Sequence, residues 1–322
     1  MPSALIIRPS SLGDIVHALP IVHDLHAHRP GISIDWVVEE PFVALVRLNR
    51  GVRRVIPVAL RRWRHGALAR STWQEFGAFR SELKHERYDA VIDLQEQIKG
   101  ALIAWLARGP VHGPDRRSVR EPIVTLLYAH RHAIDPAQHL IDRCRRLAGS
   151  VFGYEPAGAP RFDLDGPSQD GAPDSPYAVF VHATSRDDKL WPEADWQALL
   201  EHAVNAGFTV VLPWGSVVEK ARSERIAQGR RGGVIPPRRN LPELASLLSR
   251  ADWVVGVDTG LTHLAAALGT PTVAVFTATD PELAGVARAG GFARDLGGIG
   301  TVPTLGQVIA ALGPLVRAVP SC

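Results

Sequence analysis

The sequence predicts an α/β chain made of two doubly wound, mainly parallel halves. Three observations carry this. Short apolar runs of strand length alternate with amphipathic helical stretches. The stretch 155–176, rich in Gly, Pro, Asp and Ser and without a sustained period, interrupts the alternation. The alternation then restarts at Tyr177, and 322 residues suit two domains of about 150 each. The expected domains are 1–160 and 176–322.

In the first half, residues 4–7 read as a strand, 9–14 as a tight loop and 15–28 as an amphipathic helix. Residues 32–38 and 90–94 read as further strands. In the second half, strands are expected at 177–181, 208–212, 253–257 and 272–276. Helices are expected at 193–206, 217–228 and 261–268. Two successive α/β domains predict a cleft between them where two ligands meet.

Composition excludes several classes. Hydrophobic residues at 46% and charged residues at 21% exclude a mostly disordered chain. No window approaches the roughly 18 apolar residues of a membrane span. The opening stretch MPSALIIRPSS lacks the layout of a secretory signal, so the cytoplasm is the expected compartment. Two cysteines, Cys144 and Cys322, make neither a disulfide framework nor a Cys-rich metal site. Net charge is +3, unevenly spread. Residues 1–150 hold 22 basic and 15 acidic side chains, and the remainder 14 and 18. A basic first half suits an anionic partner: nucleic acid, anionic lipid, or a phosphorylated or acidic sugar. Four lysines, Lys84, Lys99, Lys189 and Lys220, stand against 32 arginines.

Four features carry chemistry. In the loop 9–14, Ser10, Ser11, Gly13 and Asp14 sit where a parallel strand gives way to a helix. Asp14 is either an N-cap or a general base facing the cleft. Thr184, Ser185 and Lys189, in the loop 182–192, either grip phosphate oxygens or belong to a charged surface loop in which Asp187, Asp188 and Lys189 pair. Asp258, Thr259, Gly260 and His263 mark a strand-to-helix junction whose free N–H groups suit a diphosphate. Otherwise Asp258 or Thr259 caps that helix and His263 is a partly buried ring. Finally, Arg61, Arg62, Arg64 and His65 around Trp63, and Arg116, Arg117 and Arg120, are either anion readers or solvated faces. Arg143, Arg145 and Arg146, and His23, His26, His28, His130 and His132, read as structural. The glycine fingerprint of dinucleotide enzymes is absent.

Taken in order, PSSLGD at 9–14, DWVVEE at 35–40, VIPVALRRWR at 55–64, YDAVID at 88–93 and REP at 120–122 resemble glycosyltransferase family 9. HATSRDDKLWP at 182–192, LPWG at 212–215 and VDTGLTH at 257–263 complete the set, which spans nearly the whole chain. The resemblance implies a GT-B architecture: two Rossmann-like domains facing an interdomain cleft. It implies inverting transfer of L-glycero-D-manno-heptose from ADP-heptose to the Kdo of Kdo2-lipid A, with no cofactor and no metal. It places the chain peripherally at the cytoplasmic face of the inner membrane. Asp14 matches the family's base and Lys189 a group that offsets charge on departing ADP. Thr184, Ser185, Lys189, Glu219, Arg239, Asp258, Thr259, Gly260 and His263 match donor-binding positions. Arg8, Ser11, Arg61, Arg62, Arg64 and Arg120 match acceptor-binding positions.

The chain departs from the family pattern at several places. Arg8 stands where Lys is frequent, His65 replaces a Lys and Ser185 a Thr. Arg239 lies near a position given to Met beside the adenine, and residues 277–281 replace a Gly-Pro-Thr-Asp-Pro run. Three other readings are another heptosyltransferase of the family, a nucleotide-sugar epimerase of the same architecture and a non-catalytic anion binder, the last suggested by a pI near 9.1 and the arginine clusters. The acidic second half and the shortage of stacking aromatics argue against nucleic acid.

Overall fold

A computed structural model describes residues 2–166, 173 and 176–315. Residues 167–172, 174 and 175 of the 155–176 stretch, and Cys322, lie outside the described residues. The chain divides into two compact units, Met1–Asp163 and Leu164–Cys322.

In the first unit, β1 (Ser3–Ile7), β2 (Ser33–Glu39), β3 (Arg54–Val58), β4 (Ala90–Asp93), β5 (Val111–Pro114) and β6 (His130–His132) form a parallel sheet. Its order is β3-β2-β1-β4-β5-β6. In the second unit, β7 (Tyr177–Val181), β8 (Thr209–Val211), β9 (Gly233–Val234), β10 (Trp253–Val257), β11 (Thr272–Phe276) and β12 (Ala293–Gly297) form another. Its order is β12-β11-β10-β7-β8-β9. Counted within each unit, both read 3-2-1-4-5-6. The strand order reverses beside the first strand, between β1 and β4 and between β7 and β10. Open α/β sheets bind ligands outside the carboxyl ends of such a pair.

Central strands are buried on both faces, as parallel sheets require. Leu5 and Ile7 of β1 pack with Val37, Ile56, Tyr88 and Val91. Phe180 of β7 packs with Val210, Val255 and Val273 and with Trp196 of the helix Glu193–Asn205. The single helix expected over 15–28 is two, Leu12–Ala18 and Pro20–His28. Pro20 has no N–H for the turn before it, but its fixed φ suits a first helical position. The strands β5, β6 and β9 are two to four residues long, and neither they nor the edge strands β3 and β12 stand out as apolar runs.

Two glycines let helices close on the strand ends. A Cβ at Gly256 would lie 2.1 Å from Thr262 Oγ1, so only glycine lets the helix Gly260–Ala267 fold back against β10. A Cβ at Gly100 would lie 2.4 Å from Gln95 Cβ, at the start of the helix Ile98–Leu106 beyond β4.

Candidate active site

Beyond β1, the chain passes through Arg8–Ser10 into the helix Leu12–Ala18. Ser11 occupies the N-cap and Asp14 the third helical position. Asp14 is therefore not the N-cap that one reading of the loop allowed. It reaches back instead: Oδ2 accepts from the Ser11 N–H at 2.9 Å and from the Ser11 hydroxyl at 2.7 Å. Arg8 Nη2 lies 3.0 Å from Asp14 Oδ1. Burial pushes the Asp14 carboxyl up, but Arg8, the two Ser11 hydrogen bonds and Arg120 outweigh it, and the carboxyl lies below its ordinary value. Asp14 is ionised at neutral pH. Arg8 is 5% exposed, and its Nε is buried without a partner among the described residues.

Beyond β4, a second loop braces the first. Asp93 is fully buried; its carboxylate accepts from the Tyr128 hydroxyl at 2.7 Å and from the Gln95 and Glu96 N–H groups. Burial outweighs those bonds and pushes its pKa up to about 6. The turn so fixed aims Gln95 Oε1 at the Ser10 N–H, 3.2 Å away. Glu96 accepts the Arg120 N–H at 3.1 Å and Arg143 Nη2 at 2.9 Å. Lys99 donates to Ser10 Oγ at 3.0 Å. Arg61 and Lys99 both exert their charge on buried Glu39, whose pKa burial raises.

In the second unit three loops meet at one carboxylate. Asp258, directly beyond β10, accepts at Oδ2 from Lys189 Nζ and Thr279 Oγ1, each at 2.6 Å. Its Oδ1 lies 3.3 Å from His263 Nε2, and its carbonyl accepts from Thr184 Oγ1 at 3.2 Å. Burial works against the ionised form, but His263, Lys189 and Thr279 hold the carboxyl far below its ordinary value. Thr259 is the N-cap of the helix Gly260–Ala267, and its side chain makes no capping bond. The Gly260 and Leu261 N–H groups lie at that helix start, while the Thr262 N–H bonds the Thr259 carbonyl at 3.0 Å; such a start suits an anion. Underneath, His182 is buried with Nε2 at 2.8 Å from Ser223 Oγ, and burial lowers its pKa to about 4.

The arrangement answers several of the alternatives left by the sequence. Arg8, Ser11, Asp14 and Arg120 come together. Arg61 joins Lys99 beside Glu39, whereas Arg62 is bound to Glu40 at 2.9 Å and to Glu75 at 2.6 Å. Arg64 is exposed near the end of the helix Leu60–His65. Thr184, Lys189, Asp258 and His263 converge, with Thr259 and Gly260 at the adjoining helix start. Lys189 pairs with Asp258, and Asp188 with Arg186, so the internal pairing of Asp187, Asp188 and Lys189 does not form. Ser185 is exposed. Glu219 caps its own helix, Val217–Ala227, accepting the Gly215 N–H at 2.6 Å. Arg239 is half-buried ahead of the helix Leu241–Ser249. Gln95, Glu96 and Thr279 carry no sequence signal of their own, and Arg143, read as structural, braces Glu96. Scarcity of lysine was the one signal for Lys99.

The model of glycosyltransferase family 9 (heptosyltransferase) matches residues 76–289. Lipopolysaccharide heptosyltransferase 1 of Salmonella typhimurium is 42% identical over 295 residues, covering 87% of this chain and 90% of that protein. The structure of E. coli heptosyltransferase WaaC with ADP superposes with a TM-score of 0.89 at 37% identity, covering 98% of this chain and all of that one. WaaC with ADP-2-deoxy-2-fluoro heptose gives 0.83 at 38% identity, covering 95% and 96%. The two six-stranded sheets and these superpositions define a GT-B type fold, and the chain belongs to glycosyltransferase family 9, the heptosyltransferases.

Proposed function

We propose that the chain is the first heptosyltransferase of the lipopolysaccharide inner core. It moves L-glycero-D-manno-heptose from ADP-heptose to the Kdo of Kdo2-lipid A. Donor choice is supported by the likeness to WaaC structures holding ADP and an ADP-heptose analogue. Acceptor choice is supported by the name of the relatives and by the cations around Asp14, which suit Kdo carboxylates and lipid A phosphates. The acceptor places the chain peripherally at the cytoplasmic face of the inner membrane.

Each half supplies one part of the reaction. Asp14 takes the proton from the attacking Kdo hydroxyl. The freed oxygen forms a bond to the anomeric carbon from the face opposite ADP. The carbon–oxygen bond to the diphosphate breaks, ADP leaves with the electron pair, and the anomeric configuration inverts. Lys189, His263 and the start of the helix Gly260–Ala267 offset the growing charge on the diphosphate, so the reaction is read as metal-independent. Thr184, Ser185 and Thr259 bind the diphosphate, and Glu219 and Arg239 the nucleoside.

The observation that carries the reading is the clamping of Asp14. Arg8 and Ser11 hold its carboxylate ionised at the start of the helix beyond β1. An anionic acceptor that draws on Arg8 and Arg120 removes part of what depresses Asp14, so acceptor binding makes the base stronger. A mass-spectrometric assay tests the whole. ADP-heptose and Kdo2-lipid A should give a product heavier by one heptose, at the same rate with chelator present. Loss of the product on chelation contradicts the metal-independent reading. Conversion of ADP-heptose without acceptor contradicts the transferase reading in favour of an epimerase.

A further inference from the structure

One apolar face has no part in the reading above. The helix Ile98–Leu106 buries Gly100, Ala101, Ile103 and Ala104 and leaves Ile98, Leu102 and Trp105 51%, 47% and 61% exposed. Their spacing of four and three residues makes one stripe. The 3-10 helix Pro122–Leu127 packs beside it, burying Val124 and Thr125 and exposing Ile123 and Leu126, which eclipse each other three residues apart. Adjoining elements thus present five large apolar side chains to solvent, and such patches mark contact surfaces.

The rim of this face is cationic and unspent. Lys99, Arg108, Arg120 and Arg131 are exposed, and none pairs with a carboxylate among the described residues. Lys99 donates to Ser10 Oγ and Arg131 Nε to the Thr125 carbonyl. The nearby carboxylate Glu121 accepts the Ile98 N–H at 2.8 Å. Arg62, by contrast, is spent on two glutamates. The face is also continuous with the candidate site, because Lys99 touches Ser10 and Arg120 acts on Asp14. No helix among the described residues is long and apolar enough to cross a membrane.

We propose that this face docks the chain on an anionic phospholipid bilayer. Ile98, Leu102, Trp105, Ile123 and Leu126 enter the headgroup layer, and Lys99, Arg108 and Arg131 meet lipid phosphates, while Arg120 stays with the acceptor. Bare apolar contact favours no particular partner; the unpaired cations favour an anionic surface. The inference rests on the membrane-borne acceptor of the proposed function and names the surface that reaches it.

The test is cosedimentation of the full chain with phosphatidylcholine vesicles, with and without phosphatidylglycerol. Wild type should bind the anionic vesicles, less tightly as salt rises. A Leu102→Asp, Trp105→Asp double variant should bind roughly tenfold more weakly or worse, with its melting temperature unchanged. An Arg108→Gln, Arg131→Gln double variant should bind roughly tenfold more weakly to anionic vesicles alone. Both should transfer heptose to a soluble, deacylated acceptor at the wild-type rate, and absence of transfer by the wild type itself counts against the proposed function rather than the docking face. Equal vesicle binding by wild type and variants overturns the proposal, as does no binding by wild type. A wild-type dimer that the Leu102→Asp, Trp105→Asp variant abolishes, with vesicle binding intact, assigns the face to a second copy and also overturns it.

Discussion

In the first unit Asp14 stands a turn into a helix, held by Arg8 and Ser11, with its side chain 30% exposed. In the second, Asp258 stands at a strand end, held by Lys189, His263 and Thr279, with its side chain 13% exposed. Both follow central strands of sheets with the same order. Both are held ionised by cations and donors. What differs is what remains free around them. Asp258 is enclosed by the groups it binds, so it serves as an anchor that fixes a lysine and a histidine beside a helix start. Asp14 keeps more solvent access than Asp258 does. Under the proposed function, one strand order builds a base in one half and a counter-ion in the other, and the distinction lies in the residues just beyond the strands.

The largest effect that can break this comparison is at the base. Asp14→Ala should lower kcat by about a thousandfold, within the usual range for a general base. If Asp258→Asn costs turnover more than Asp14→Ala does, the two roles are reversed. Next, Lys189→Ala should lower kcat by about a hundredfold and weaken ADP binding, read by steady-state kinetics and calorimetry. Lys189→Arg should not restore the rate, because a planar fork cannot replace the compact ammonium against Asp258 Oδ2.

A smaller effect concerns stability. Asp258→Asn should destabilise by about 2 kcal/mol, the scale of a hydrogen bond to a charged group, read as a lower melting temperature at pH 7. Its pH dependence has a definite sign. The folded value of Asp258 is depressed, so the stability it gives is complete above the unfolded value near 3.9 and is lost as pH falls through the folded one. The gap in melting temperature between wild type and Asp258→Asn should therefore be widest at neutral pH and narrow in acid. Smaller still is the contrast between arginines. Arg8→Gln should raise KM for the acceptor by about tenfold, the worth of one charge-assisted hydrogen bond, and Arg62→Gln by less than twofold.

Much of this was legible in the sequence, for a physical reason. Buried parallel strands carry continuous apolar runs, so residues 4–7, 177–181, 253–257 and 272–276 announce the two sheets and the loops that follow them. Asp14, Lys189 and Asp258 lie shortly beyond three of those runs. Edge strands such as β6 and β9 bury less and carry no such run. The rest was hidden because it depends on long-range contact. Gln95 meets Ser10 only through the β1–β4 pairing, and Thr279 meets Asp258 only through β10–β11. Arg62 sits in a run of cations, and only the fold brings Glu40 and Glu75 to it. Spacing also let 15–28 pass as one helix, although Pro20 divides it.

The most direct test of the division of labour is a single experiment on the Asp14→Asn variant, loaded with ADP-heptose and then mixed with Kdo2-lipid A. The donor should bind with wild-type affinity, and no heptose should transfer in the time wild type needs for many turnovers. Transfer at a rate near wild type, or loss of donor binding, would contradict the assignment of proton removal to the first half and donor binding to the second.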